Sequence, residues 1–193
     1  MKTSLKMVLI VLIVSYSCWS QGQGTFQFQN RNTAAGIDAP VFDAQGVRLS
    51  GNDYLADLYG GSNSNSLSAT TPQTVAPFFT GIVAGYFQNL QTALVPNVPG
   101  NTFVWLQVRA WDARLGATYE AVVALGQGGY GASPLFFALG GDPNGVPPTG
   151  PRPLIGLQSF SLLPVVPEPA TWVLLALGGT ALWVFRRAPR GRL

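Results

Sequence analysis

The sequence predicts an all-β fold: a single antiparallel β-sandwich of the immunoglobulin-like or jelly-roll type over residues 21–165. Several segments alternate apolar and polar residues, which is the period of a half-buried strand. Clusters of Gly, Pro, Asn and Ser separate these segments at spacings of roughly 10–20 residues, as in sandwiches. No stretch of ten or more residues in this region has its apolar residues at helical spacing.

The clearest predicted strand is "NTFVWLQVRAW", residues 101–111. Side chains of alternate residues point to opposite faces of a strand. One face carries Val104, Leu106, Val108 and Ala110. The other carries Phe103, Trp105 and Trp111, with Gln107 and Arg109 between them.

Further segments extend the β pattern, although Leu55 and Leu58 leave a helix open as an alternative for one of them. The candidate strands are 25–29, 41–42, 53–60, 78–87, 119–125, 134–139 and 154–163. Two polar or proline-rich stretches, 60–74 and 141–153, predict a flexible loop and an extended crossover.

The N-terminus predicts a secretory signal peptide over residues 1–20. Lys2 and Lys6 make the start basic, an unbroken apolar run follows at 7–14, and small polar residues come after it. Cleavage is expected after Ser20, with a cut after Ser17 as the rival. Lipidation of Cys18 is a third alternative, disfavoured by the bulky Tyr16 two residues before it, where a small residue is expected.

The C-terminal end predicts a single transmembrane helix, Ala170 to Phe185, which contains no charged residue. At about 1.5 Å per residue this helix is shorter than a hydrocarbon core of about 30 Å. Snorkelling arginines and local thinning of the bilayer compensate for the difference. The basic tail, 186–193, is expected to be cytoplasmic by the positive-inside rule, so the region between the two ends is exported.

The charge balance gives no support for a nucleic-acid partner. Residues 21–165 hold seven acidic and five basic residues, a net charge of −2, whereas the whole chain carries +3. The basic character therefore belongs to the terminal segments. A basic patch of the kind that binds nucleic acid is not predicted.

Residues 166–169, "VPEP", followed by an apolar helix and an arginine cluster, resemble the PEP-CTERM sorting signal of exported bacterial proteins. The resemblance implies processing by the membrane protease exosortase and delivery to the cell surface or extracellular matrix of a Gram-negative-type bacterium. It makes Pro167, Glu168 and Pro169 the recognition motif and Arg186 and Arg187 the retention signal. A proline-rich stalk before a plain membrane anchor is the alternative.

The exported region is also similar to those of other uncharacterised PEP-CTERM proteins, a resemblance that implies no activity. It rests on three segments, "APVFDAQGVRLSGNDYLADLYGG", "QVRAWDARLGATYEA" and "GLQSFSLLPVVPEPA".

The residue types present exclude several kinds of catalysis. The chain has no His, and its single Cys is Cys18. A Ser-His-Asp triad, a cysteine nucleophile in the exported region and an ordinary zinc site are therefore excluded. Asp112 and Glu120 flank a turn and are candidates for the acid and base of a glycoside hydrolase, with turn and surface roles as the alternative. We expect a protein that is not an enzyme and has no cofactor.

Calcium binding is considered because four acidic residues, Asp38, Asp43, Asp53 and Asp57, lie close together in the sequence. The "DPNG" at 142–145 also offers oxygen ligands, but it is equally a good turn sequence. Neither stretch completes a known calcium loop, so no metal site is predicted.

Phe103, Trp105 and Trp111 form a candidate ligand platform. Exposed, they would stack on sugar rings; buried, they would belong to the core, where large aromatic side chains usually lie. We expect a structural or adhesive surface protein, with a carbohydrate-binding module for extracellular polysaccharide as the alternative and a glycoside hydrolase as the third possibility.

Overall fold

The fold is mostly β. The computed structural model describes residues 23–166, of which 45% lie in strands and 9% in helices, so the all-β prediction is confirmed. The strands are β1 (Gln23–Gln29), β2 (Arg31–Asn32), β3 (Ile37–Asp38), β4 (Val41–Phe42), β5 (Gly51–Gly61), β6 (Ser68–Ala69), β7 (Ala76–Phe78), β8 (Gln88–Pro99), β9 (Phe103–Asp112), β10 (Tyr130–Ala132), β11 (Phe136–Leu139) and β12 (Phe160–Ser161). The α-helix α1 spans Tyr119–Leu125, and two 3₁₀ turns span Thr33–Ala35 and Gly81–Val83.

The largest sheet has six strands built around the long antiparallel pair β5 and β9. Strands β10 and β11 both pair with β9, whereas β6 and β7 pair with β5. Apart from a two-residue parallel pair between β4 and β12, the pairings between strands are antiparallel. The alternating and β-branched residues of β9 suit this central position.

A second layer, the antiparallel pair β1 and β8, packs over one face of this sheet. Val95 of β8 lies so close to Gly60 of β5 that a Cβ atom on Gly60 would sit 2.8 Å from it. The shared core includes Phe26 and Phe28 of β1 and the predicted inner face of β9. Packing between these layers therefore decides which face of β9 is buried.

Strand β8 is the longest in the fold, and the sequence did not predict it. Pro96 and Pro99 look like turn residues, and the first half of the strand is polar. Both prolines are tolerated because β8 has β1 as its partner strand in the described region and lies at the edge of its layer. The contact with β1 overrides the local turn preference.

The strand predicted at 119–125 is wrong, because these residues form α1. The side-chain oxygen of Thr118 accepts a hydrogen bond from the backbone N–H of Ala121, and Gly126 ends the helix in the left-handed conformation. These caps outweigh the β propensity of Val122 and Val123. Val122 is then buried.

The strand predicted at 78–87 is also largely wrong. Phe78 ends β7, and the residues after it form a turn containing the 3₁₀ segment Gly81–Val83. Gly81 and Gly85 both have positive φ, which breaks the extended backbone. Similarly, the strand predicted at 154–163 is reduced to the two residues of β12.

Among residues 23–166, no helix is long and apolar enough to cross a membrane. The predicted signal peptide with Ser20, the predicted membrane helix at 170–185 and the basic tail all lie outside the described residues.

Candidate functional site

Three aromatic side chains lie together on the outer face of the large sheet, and we call Phe103, Trp105 and Phe137 the aromatic strip. Phe103 and Trp105 come from β9, and Phe137 of β11 is directly opposite Trp105 in the antiparallel ladder. The inner neighbours of these residues, such as Val104 and Leu106, are buried in the core. Burial of one face of β9 therefore presents the strip on the other.

Two rings of the strip are exposed to solvent, the third, Trp105, is half-buried, and the three are mutually ordered. Phe103 and Phe137 are 57% and 50% exposed. Their rings are stacked, with centroids 5.1 Å apart and an interplanar angle of 18°. The Trp105 ring lies 4.9 Å from that of Phe137 at an angle of 42°. Such contacts fix the orientation of the rings before any ligand arrives.

Polar groups continue the same face beyond the strip. Gln107 Nε2 donates to the carbonyl of Ser133 at 3.1 Å, and Arg109 Nε donates to Gln107 Oε1 at 3.0 Å. On the β5 side, Gly61 is in register with Trp105, and the polar loop 62–67 folds against it through the carbonyl of Ser66. The Gln107 amide and backbone groups of the loop 62–67 thus lie next to the strip, and Arg109 lies beyond Gln107.

Phe137 was absent from the sequence-based candidates. Its signal was the pair Phe136–Phe137 within a predicted strand, because alternation must send one ring inward and the other outward. Phe136 is buried and Phe137 faces solvent.

The structure places Trp111 away from the strip, in the interior, where it is 1% exposed. Its ring meets that of Tyr119 edge-on at 6.5 Å, and Tyr119 also contacts Tyr130 at 5.8 Å. Helix α1 carries Tyr119 over this end of β9. Trp111 is therefore a packing residue and offers no surface to a ligand.

Next to Trp111, Arg109 is enclosed by aromatic and acidic partners. Its guanidinium lies 3.9 Å from the centroid of the Tyr59 ring and 3.4 Å from Glu120 Oε1. The Tyr59 hydroxyl donates to Glu120 at 2.6 Å. Burial, the hydrogen bond to Glu120 and its negative charge raise the pKa of Tyr59 above its usual range. Glu120 is thus engaged in structural contacts.

Asp112, the other carboxylate of the hydrolase hypothesis, is paired with Arg114. The guanidinium donates to both carboxylate oxygens, at 2.8 and 2.5 Å. Hydrogen bonding to Arg114 lowers the pKa of Asp112, against the opposing effect of burial. A general acid needs a raised pKa, so this environment favours a structural, ionised carboxylate over a general acid.

The four aspartates considered for calcium have separate partners. Asp38 accepts from the Tyr86 hydroxyl, Asp43 accepts from the N–H groups of its own turn, and Asp53 faces Arg114. Within residues 23–166 no group of three or more acidic residues is arranged to hold a metal ion.

Asp57, the fourth aspartate, is completely buried. It accepts hydrogen bonds from the backbone and hydroxyl of Thr74 and from Gln73 Nε2. Burial raises its pKa despite these donors. Asp57 therefore anchors residues 73–74, which follow β6, whereas the polar loop 62–67 precedes β6 and borders the strip.

A groove of about 350 Å³ lies on the outer surface of the other layer. Its lining is neutral and rich in amides: Phe26, Gln27, Gln29, Gln88, Asn89, Leu90, Gln91, Thr92 and Pro151. The groove offers hydrogen-bonding groups but, with Phe26 buried, no exposed aromatic ring.

Comparison with known protein families gives one match, to the PEP-CTERM protein-sorting motif, over residues 165–188. The chain carries a PEP-CTERM sorting motif. The matched span includes Pro167, Glu168 and Pro169 and ends just past Arg186 and Arg187; these five residues lie outside the described part of the chain. The chain has no match among curated proteins and none among solved structures.

The match confirms the resemblance of the C-terminal residues to the PEP-CTERM sorting signal and does not test the resemblance of the exported region. It implies an exported, membrane-anchored precursor that an exosortase processes on the way to the cell surface. The motif covers the C-terminal end, so the aromatic strip lies in a domain that the match does not reach.

Proposed function

We propose that the exported domain is an adhesive surface module that binds extracellular polysaccharide through the aromatic strip. The observation that carries the proposal is the exposure of Phe103 and Phe137, stacked beside Trp105 on a rigid sheet. Exposed ordered rings suit the apolar faces of sugars, and the neighbouring polar groups of Gln107 and the loop 62–67 suit sugar hydroxyls. The strip favours this function over a purely structural role.

The proposed role is binding without catalysis and without a metal or cofactor. The pairing of Asp112 with Arg114, and of Glu120 with Tyr59 and Arg109, supports this choice over a glycoside hydrolase. A β-sandwich of the immunoglobulin-like or jelly-roll type is part of the same proposal, and the packing of β8 on β5 supports it. The extracellular matrix is the proposed destination.

Binding can be tested by screening the protein on a glycan array and measuring affinity for soluble polysaccharides that give a signal. Trp105→Ala and Phe137→Ala should each weaken binding about tenfold, equivalent to losing about 1.4 kcal/mol of stacking. Leu90→Ala, on the opposite surface next to the amide groove, should bind as the wild type does. Failure of the wild-type protein to bind any polysaccharide would contradict the proposal, and loss of binding in Leu90→Ala alone would move the site to the groove.

Sorting is tested separately by the intact mass of the mature protein from its native cell envelope. A C-terminus near Glu168, with or without added mass, is the expected result. A C-terminus at Leu193 would identify an uncut membrane anchor and would leave the polysaccharide result unaffected.

A further inference from the structure

The chain that leads into the sorting motif is not a free linker, because it is hydrogen-bonded to the folded domain as far as the residue before Pro167. Residues 162–166 run antiparallel to residues 127–130. The backbone hydrogen bonds are Leu163 N–H to Tyr130 O at 2.8 Å, Gly129 N–H to Leu163 O at 2.9 Å and Val166 N–H to Gln127 O at 2.7 Å. Leu162 N–H also donates to Phe42 O at 2.9 Å. We call residues 162–166 the exit segment.

Small residues opposite the exit segment make this close approach possible. A Cβ atom on Gly131 would lie 2.5 Å from the carbonyl oxygen of Ser161, and one on Gly128 would collide with that of Pro164. Gly126 also has a positive φ, but open space surrounds it. The glycines at 128 and 131 are therefore needed for docking, whereas Gly126 serves only to end α1.

Docking of the exit segment leaves only a short connection between the domain and the predicted membrane segment. Four residue steps separate Val166 from Ala170, where the uncharged run begins. An extended chain covers at most about 3.6 Å per residue, so these steps span no more than about 14 Å. The headgroup layer of each leaflet is itself about 5–8 Å thick. The edge of the domain is thus confined to the membrane surface in the anchored precursor.

The residues at this edge have the chemistry of a membrane-facing surface. Leu125, Leu163, Val165 and Val166 are each about half exposed, and Leu125 stands two residues before Gln127, the acceptor for Val166. We call these four the exit edge. Leu163 and Val165 also line a small cavity beside this edge, in which the Arg114 guanidinium is already paired with Asp112.

We propose that the exit edge rests on the lipid headgroup region while the precursor is anchored, and so fixes the orientation of the domain on the bilayer. This inference rests on the membrane-anchored precursor of the proposed function and is independent of polysaccharide binding. Removing apolar side chains from water at the interface lowers the free energy, and the short tether to the membrane anchor holds the exit edge where this can occur.

Leu125 is the decisive reporter, because it is distant in sequence from the exit segment and lies beside it only through the docking of Val166 on Gln127. The full chain with Cys18→Ser is reconstituted in phosphatidylcholine–phosphatidylglycerol vesicles. In this background, Leu125→Cys, Val165→Cys or Leu90→Cys carries an environment-sensitive fluorophore. Lipids with a nitroxide group quench its fluorescence where the labelled residue contacts the bilayer. We expect quenching at Leu125 and Val165 to be at least twice that at Leu90, which is 90% exposed on the other layer.

Undocking provides the second arm of the experiment. Gly131→Ala should reduce quenching at Leu125 and leave quenching at Val165 unchanged, whereas the control Gly150→Ala, whose added Cβ atom meets open space, should leave both high. Quenching at Val165 without quenching at Leu125 overturns the inference and leaves the anchored precursor intact. Absence of quenching at both positions overturns the inference and the membrane-anchored precursor together. Shielding of Leu125 that requires added exosortase would replace the bilayer with a protein partner and also overturn the inference.

Discussion

The two ends of one face of β9 have different surroundings although their sequences are alike. At the first end, Phe103 and Trp105 lie in the exposed aromatic strip with Phe137. At the other end, Trp111 is buried beneath Tyr119 of α1. Alternation in a strand decides which face a side chain is on, but a neighbouring element decides whether that face meets water. A seven-residue helix thus separates a candidate ligand surface from a second packed cluster.

The strongest test of this contrast is truncation of each tryptophan. Trp111→Ala should lower the free energy of unfolding by about 3–5 kcal/mol, because it leaves a cavity in a packed region. Trp105→Ala should cost only about 1 kcal/mol, because part of its ring already faces solvent. Urea denaturation measures both, and equal losses would refute the division of the face into covered and open ends.

Removing the covering side chain should convert the covered end into a partly open one. Tyr119→Ala is expected to cost about 2 kcal/mol of stability and to shift the fluorescence of Trp111 to longer wavelength as water reaches it. Tyr119→Phe keeps the ring and should leave the emission unchanged. The shift should disappear in a Trp111→Phe background; if it persists there, another tryptophan is responsible.

A smaller effect is expected from the cap that begins α1. Thr118→Ala removes the acceptor for the Ala121 N–H and should destabilise the protein by about 1 kcal/mol. Thr118→Ser preserves the oxygen and should retain most of the stability. Thermal unfolding of the two variants gives the comparison, and identical melting temperatures would mean that packing alone holds the helix.

The smallest expected effect is a pH dependence at the boundary of the covered end. The pKa of Asp112 is lower in the folded protein, so its contribution to stability is complete above the ordinary value near 3.8 and is lost as pH falls through the folded pKa. Because Arg114 is largely exposed, the contribution is expected to be about 1 kcal/mol or less. The free energy of unfolding in urea should therefore fall less steeply between pH 5 and pH 2 for Asp112→Asn than for the wild type. Parallel curves of free energy against pH would contradict this.

Some elements of the fold could be predicted because their signals are local. The alternation in β9 and in β1 predicted strands whose inner faces are buried, and several turn clusters, although not the one at 96–101, predicted breaks between strands. The C-terminal motif was equally clear, because a sorting signal is recognised as a short linear peptide. These features depend on neighbours in the chain alone.

Other elements depend on contacts between distant residues and could not be predicted in this way. Strand β8 forms despite Pro96 and Pro99 because β1 and the core accept it. Segment 119–125 has valines that favour a strand, yet its caps and the packing of Tyr119 against Trp111 make it α1. The predicted platform also differs from the observed strip through distant contacts, because β11 places Phe137 beside Trp105 and α1 covers Trp111.

The sequence by itself determined the all-β class, the strand that carries the aromatic residues and the sorting motif, since each is encoded in periodicity or in a short contiguous pattern. Only the tertiary structure decided that Phe137 joins Phe103 and Trp105, that α1 covers Trp111, and that the chain before Pro167 is docked. Local patterns fix the direction in which a side chain points. Burial depends on which distant segment packs above it, and that is settled only when the whole chain has folded.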